Sequence, residues 1–441
     1  MLAGALLLAQ PAAAASLIAT GAPGARLLEL LECATGEPAG RTMLDAPLAA
    51  PPVLAADGSA LYAATASSEL LRLTVPALAP AARTTLAHRP AALAAGSGPD
   101  AILLVGGQGE EPLSAHDPLT LAELARYRHR DGKTATVSAL MDNPGRSALV
   151  VGFGDLPETW EIVYDRAAPP VLLGFVHDYR NNEAVPLPGR LTARPFVVAS
   201  PTRAFAPGPV PFELARIDDS GALGVINLEV RREIERPAVA PPGGRERIAA
   251  WRAPPTDARV ADARPGDART GDARTGEART GEARTGDART GERGWLAAAP
   301  GANALVPLRA VGWRPLPPIR IDGEVLALAP EPWGSRVLVA HRRQGSLLVS
   351  SVDPSDGAIA RLAVLPGTPG EHAAPARDNR TGPAEGAAKG GAHPPRQGQA
   401  AGLRLVRGSD ARCVALLDAD GRWLGSVGAP GEDRTGETLS R

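Results

Sequence analysis

The strongest constraint on how this chain can fold is a unit that returns roughly every 40 residues: short apolar runs separated by Gly, Pro or Asp turns. Its clearest copy is Leu54-Ala-Ala-Asp57-Gly58-Ser-Ala-Leu61-Tyr62, then a polar break, then Leu70 to Val75. Asp57-Gly58 reads as a tight turn, and the runs beside it read as strands. Looser copies are Asn143 to Val151 with Trp160 to Asp165, and Pro332 to Ala340 with a loop His341 to Ser346 and a strand Leu347 to Val352. A last copy is Ala411 to Leu417 with Trp423 to Val427. No apolar pattern of helical period runs through the chain. A unit this small cannot bury its own apolar face, so the copies must stack, and the period is that of a four-stranded propeller blade. The expectation is an all-β fold: a single closed β-propeller of eight four-stranded blades, with seven as the alternative.

Two segments fit no blade. Gly266 to Thr290 is a run of tandem Gly-[Asp/Glu]-Ala-Arg-Thr repeats, each with one acid, one base and no bulky apolar side chain. Such a segment cannot offset its ordering entropy by burial and is expected to be disordered, as is the Gly-, Pro- and Ala-rich stretch 368–401. The resulting division is 1–15 as signal peptide, 16–253 as the first part of the propeller, and 254–293 as the repeat insertion. The propeller continues over 294–367, 368–401 is the second disordered insertion, and 402–441 is the last blade and tail. Roughly 350 residues remain for blades, which suffices for about eight.

The signal-peptide reading rests on Leu2 to Ala9, a short apolar run, followed by Ala13-x-Ala15 before Ser16. No Lys or Arg precedes Arg26, so the basic segment that usually opens such a peptide is missing, and the start is a candidate for misassignment. The expected location is the periplasm, with no membrane span after cleavage. Forty-seven basic side chains against 48 acidic ones leave a net charge of −1, which removes the electrostatic footprint of a nucleic-acid binder. The two cysteines, Cys33 and Cys413, are too few for a disulfide scaffold or a thiolate metal site, and can pair only where the chain ends meet.

Signatures of catalysis are absent from the sequence: no G-x-S-x-G, no phosphate-cradling loop, no H-E-x-x-H and no C-x-x-C-H. Asp418-Ala-Asp420-Gly421 opens like a calcium loop but lacks the later ligands and reads as a hairpin turn. What stands out is Phe175-Val-His177-Asp178-Tyr179-Arg180, read as a between-blade connection, and His341-Arg342-Arg343, read as a loop between second and third strands. In a propeller both kinds of connection open on one face. His177, Tyr179, Arg180, His341, Arg342 and Arg343 are therefore the candidate cofactor-binding residues. The arginines would hold carboxylates such as those of a tetrapyrrole, and the competing reading is that Asp178 and Arg180 tie down a long loop.

Thr136 to Asp165, Val176-His177-Asp178-Tyr179-Arg180 with Glu183 to Pro186, and Gly221 to Ile234 together resemble the cytochrome d1-type haem propeller family. That family includes the haem domain of periplasmic nitrite reductases and haem d1 maturation proteins. The likeness covers about 100 residues, and only the blade rhythm is shared beyond them. The resemblance implies a propeller and a haem d1 or related tetrapyrrole as the possible ligand. Where the family places histidines, this chain has Pro237 to Gly244 and Ala46 to Pro51, without one. The expected function is thus a non-catalytic accessory protein of denitrification-type metabolism, binding a tetrapyrrole or a periplasmic protein partner. The alternatives are a haem d1 maturation or nitrite reductase-like enzyme with relocated histidines, and a propeller serving protein interaction alone.

Overall fold

The apolar runs divide into two kinds, and burial in the structure explains both. Continuous runs such as Ala60–Ala64, Ala148–Phe153 and Cys413–Leu417 are strands buried at every position. Runs such as Pro80–Thr85 and Pro38–Met43 alternate between exposed and half-buried. A strand covered on both faces needs no polar side, whereas a strand at a sheet's outer edge does.

The computed structural model describes residues 16–129, 131–172, 186–252, 292–365, 403–409, 412–418 and 423–428. Their regular secondary structure is almost wholly strand, and their helical elements are two short 3-10 turns, Pro144–Arg146 and Arg245–Arg247. Among them no helix is long and apolar enough to cross a membrane.

The strands form successive antiparallel meanders, numbered here as sheets in chain order. Sheet 1 holds Leu17–Thr20, Leu27–Glu32 and Pro38–Met43, and sheet 2 holds Val53–Leu54, Ala60–Ala64, Glu69–Thr74 and Pro80–Thr85. Sheet 3 runs through Arg89–Ala95, Leu103–Gly109, Leu113–His116 and Glu123–Tyr127. Sheet 4 is Ala135–Asn143, Ala148–Phe153, Glu158–Val163 and Ala193–Val197, joined to sheet 3 where Ala135 and Thr136 pair with Gly109 and Gln108. Sheet 5 is Thr202–Pro207, Glu213–Asp218, Leu223–Asn227 and Arg232–Glu235. In sheet 6, Ile248–Arg252, Arg293–Ala297 and Ala304–Arg309 are followed by a split fourth strand, Arg314–Pro315 and Ile319–Arg320. Sheet 7 is Glu324–Pro330, Val337–Arg343, Ser346–Val352 and Ile359–Leu365; sheet 8 is Arg404–Arg407, Cys413–Leu417 and Trp423–Gly428.

Each sheet packs face to face on the next. Sheets 1 and 2 share Leu28, Leu30, Leu61 and Leu73, and sheets 3 and 4 share Leu104, Leu113, Phe153 and Trp160. Between sheets 5 and 6, Trp295 stacks on Trp313 with ring centres 4.0 Å apart, and its indole N–H donates to the Pro207 carbonyl at 2.9 Å. The series does not stop at sheet 8. Ala415 and Leu417 of sheet 8 pack on Ile18 and Leu31 of sheet 1, so the last sheet meets the first. Cys33 and Cys413 form a disulfide across that contact, 380 residues apart in sequence. Ser409 and Leu17 exchange hydrogen bonds there, and the Trp423 indole donates to the Cys33 carbonyl at 3.2 Å. Both cysteines are buried, Cys33 completely.

The first strands of successive sheets are also neighbours, from Leu17–Thr20 through to Arg404–Arg407. In sheets 2 to 8 these innermost strands set out from the same end of the assembly. Connections between sheets arrive at that end together with the second-to-third turns; first-to-second and third-to-fourth connections lie at the other.

Candidate functional site

Of the six residues singled out in the sequence, His341, Arg342 and Arg343 are among the described ones. His177, Tyr179 and Arg180 lie outside the described residues. The strands on either side of them, Glu158–Val163 and Ala193–Val197, pair with each other, so residues 164–192 link third and fourth strands of sheet 4. That is a connection within a sheet, where the sequence suggested one between blades. It leaves from the end opposite His341 to Arg343, because a third strand always finishes at the far end.

His341, Arg342 and Arg343 do not form a loop either. They complete the strand Val337–Arg343, and the turn is the tight Gln344-Gly345 pair, both at positive φ. The strand carries on because Arg342 and Arg343 pair with Leu347 and Ser346 across the hairpin. His341 is 4% exposed, with Nε2 2.9 Å from the Ser350 hydroxyl and Nδ1 3.2 Å from the Asp322 carbonyl. Arg343 pairs with the Asp322 carboxylate at 2.8 Å on the open surface.

The other described histidines are also held by their own surroundings. His116 contacts the Ser114 hydroxyl at 2.8 Å and the Leu121 carbonyl at 3.1 Å. His88 contacts the Val105 carbonyl at 3.2 Å, and His129 the Glu158 carboxylate at 2.8 Å. All four rings are at least nine-tenths buried. A haem iron needs an axial donor that can reach the macrocycle, and imidazole is the usual one. These rings are turned into the sheets, so the described histidines do not fit that role.

A different set of arginines gathers at the end where the innermost strands begin. Arg404 opens the first strand of sheet 8, which lies beside the first strand of sheet 7. The 3-10 turn Arg245–Arg247 packs against that same sheet 7 strand while leading into the first strand of sheet 6. Both guanidinium-bearing segments are thus delivered to one place by the ends of inner strands. Burial first, and then the positive charge of Arg245, push the Arg404 guanidinium below the usual arginine range, against weaker support from Asp418 and Glu246. Arg247 leans on Glu246 at 3.5 Å, yet its buried Nε has no partner among the described residues. Neither Arg245 nor Arg404 makes an ion pair among the described residues. Two guanidinium groups held near one another against repulsion favour a shared anion, above all a carboxylate.

Sequence reasoning missed these residues because nothing local marks them. Arg245 sits in Gly-Gly-Arg-Glu-Arg and Arg404 in Gly-Leu-Arg-Leu, 159 positions later. The one available signal was position: each lies just where a blade's first strand starts.

Comparison with known proteins bears on the fold. No protein-family model matches the chain, and no curated protein sequence matches it. Among solved structures it is similar to "Dihydro-heme d1 dehydrogenase NirN in complex with DHE". That match has a TM-score of 0.58 at 14% identity, covering 95% of this chain and 74% of that one. It is also similar to BamB from Moraxella catarrhalis, with a TM-score of 0.51 at 12% identity, covering 96% and 94%. Both are β-propellers. This chain has the β-propeller fold. At such identities the likeness speaks for architecture alone.

Proposed function

We propose that the protein is a non-catalytic binding propeller whose arginine-bearing mouth holds a carboxylate-rich ligand of the tetrapyrrole class. The observation that carries this reading is the placement of Arg404 and the exposed Arg245 on either side of the first strand of sheet 7, where burial first and then the charge of Arg245 lower the Arg404 guanidinium. Arg342 and Arg343 end a second strand at the same end and belong to the outer rim of this mouth. Ligand carboxylates suit the arginines; ligation of an iron by the described histidines does not suit their burial.

Three further elements belong to the same reading. The propeller is closed and eight-bladed, supported by the packing of sheet 8 on sheet 1. Sheets 1 and 8, with three strands each, are its two incomplete blades. The protein works in the periplasm, which is supported by the Leu2 to Ala9 run and by a disulfide, a bond that persists in oxidising compartments.

The test is a fluorescence-quenching titration with coproporphyrin III, a tetracarboxylate, and with its tetramethyl ester. Losing one charge-assisted contact costs about 1.5–3 kcal/mol, so Arg404→Ala and Arg245→Ala should each weaken coproporphyrin binding roughly 10- to 150-fold. The ester should bind weakly to every variant. Equal binding of acid and ester, or affinity unmoved by both substitutions, would remove the tetrapyrrole reading and leave a propeller for protein interaction.

A further inference from the structure

The opposite end of the ring carries a separate feature that the arginine mouth does not explain. Here the innermost strands of sheets 4, 5 and 6 finish at Asn143, Pro207 and Arg252, around a cavity of about 290 Å³. Its walls include the rings of Pro144, Pro207, Pro209 and Pro211, and its charged members are Asp142, Glu213 and Arg252.

The three charges are not equivalent. Asp142 is fully engaged, accepting from the Ser97 hydroxyl at 2.5 Å and from the Tyr164 hydroxyl at 3.0 Å. Arg252 donates to the Pro209 carbonyl at 2.6 Å and is exposed beyond it. Glu213 opens the second strand of sheet 5 and is only 8% exposed, and its Oε2 has no hydrogen-bond partner among the described residues. The backbone holds it there: a Cβ at Gly208 would collide with the Glu213 carbonyl, so the glycine lets the 208–213 turn close tightly beneath the carboxylate. A buried carboxylate oxygen without a donor costs free energy that a well-placed N–H recovers. Burial raises the Glu213 carboxyl above its usual range, against the weaker pull of Arg293.

We propose that this proline-walled cavity is a binding site for a small primary ammonium ion, whose N–H groups donate to Glu213 and whose alkyl chain lies against the proline rings. Two carboxylates and one guanidinium give the cavity a net charge of −1, which one ammonium neutralises. Its volume sits at the small end of ligand pockets, suited to a chain of a few carbons. The site is separate from the arginine mouth, lying where the inner strands finish and not where they begin.

Isothermal titration of the full chain with butylammonium chloride tests it. Saturable one-to-one binding is expected, weakened at least tenfold in the isosteric Glu213→Gln. Arg252→Gln, which removes the competing cation from an exposed position, should tighten binding. Tetramethylammonium chloride carries the charge without an N–H and should not bind. Circular dichroism of Glu213→Gln checks that it folds, and the Arg252→Gln measurement decides the matter if it does not. Absence of saturable heat up to about 20 mM butylammonium, unchanged affinity in folded Glu213→Gln, weaker binding in Arg252→Gln, or equal binding of tetramethylammonium would each overturn the proposal.

Discussion

Arg216 shows how much a single side chain contributes once it is placed inside a blade. It sits in the middle of a second strand, 1% exposed, in a stretch whose equivalents elsewhere are apolar. Its guanidinium donates to the Ser200 carbonyl and hydroxyl at 3.0 and 3.1 Å, to the Pro201 carbonyl at 3.2 Å and to Glu233 at 3.2 Å. Glu233 is shared with Arg236 at 2.7 Å; against burial, the Ala199 amide N–H first and then the two guanidinium groups hold its carboxylate below the usual range. Arg216→Met keeps most of the volume but strands several buried acceptors. Breaking a buried ion pair from one side costs about 3–5 kcal/mol, and urea unfolding of Arg216→Met should show a loss of that order. A loss below about 1 kcal/mol would mean that water replaces the guanidinium. Arg404 presents the contrasting case: its substitution should change ligand affinity far more than stability, because it makes no ion pair among the described residues.

At the scale of the strand, the buried histidines make stability depend on pH. Burial lowers His88, His116 and His341 below their ordinary value of 6.5. The folded state therefore binds fewer protons than the unfolded one below that pH. Their contribution is complete above 6.5 and is lost as the pH falls, by up to about 1.4 kcal/mol per pH unit for each histidine. Asp142 and Glu213, both raised by burial, act with the opposite sign at lower pH. The comparison of wild type with His116→Gln isolates one imidazole: between pH 7 and pH 5 the urea midpoint of the variant should fall less steeply. Parallel curves would show that His116 is already charged in the folded protein. The same scale explains Tyr164, whose hydroxyl is pushed up to about 12 by burial and donates to Asp142 while accepting from the Ser97 amide.

For the whole molecule the decisive contact is the one between sheets 8 and 1. Every other interface joins neighbours in sequence, whereas this one joins the two ends of the chain and is pinned by Cys33–Cys413. A cross-link that encloses 380 residues removes much loop-closure entropy from the unfolded chain. The Cys33→Ser, Cys413→Ser double variant should lose about 2–4 kcal/mol, read as a lower urea midpoint, and reductant should leave it unaffected while bringing wild type to the same value. A wild-type protein indifferent to reductant would show that Ile18, Leu31, Ala415 and Leu417 hold the seam unaided.

The sequence by itself determined the strands, their rhythm and the all-β class. These are local properties: Asp57-Gly58 turns because Gly58 adopts φ near +70°, and runs such as Leu149-Val-Val151 have no polar side to turn to water. Spacing even suggested that Cys33 and Cys413 pair only if the ends meet, which they do. What the sequence left undecided was the direction in which each connection leaves. The segment 164–192 looks like a link between blades until its flanking strands are seen to pair, and His341 looks like a loop residue until the strand is seen to continue past it. The convergence of Arg245 with Arg404, and the isolation of Glu213 in a ring of prolines, were likewise decided by the tertiary structure alone. The reason is physical: strand formation depends on neighbours along the chain, whereas the field and burial at a charge are set by residues that only the stacking of sheets brings near.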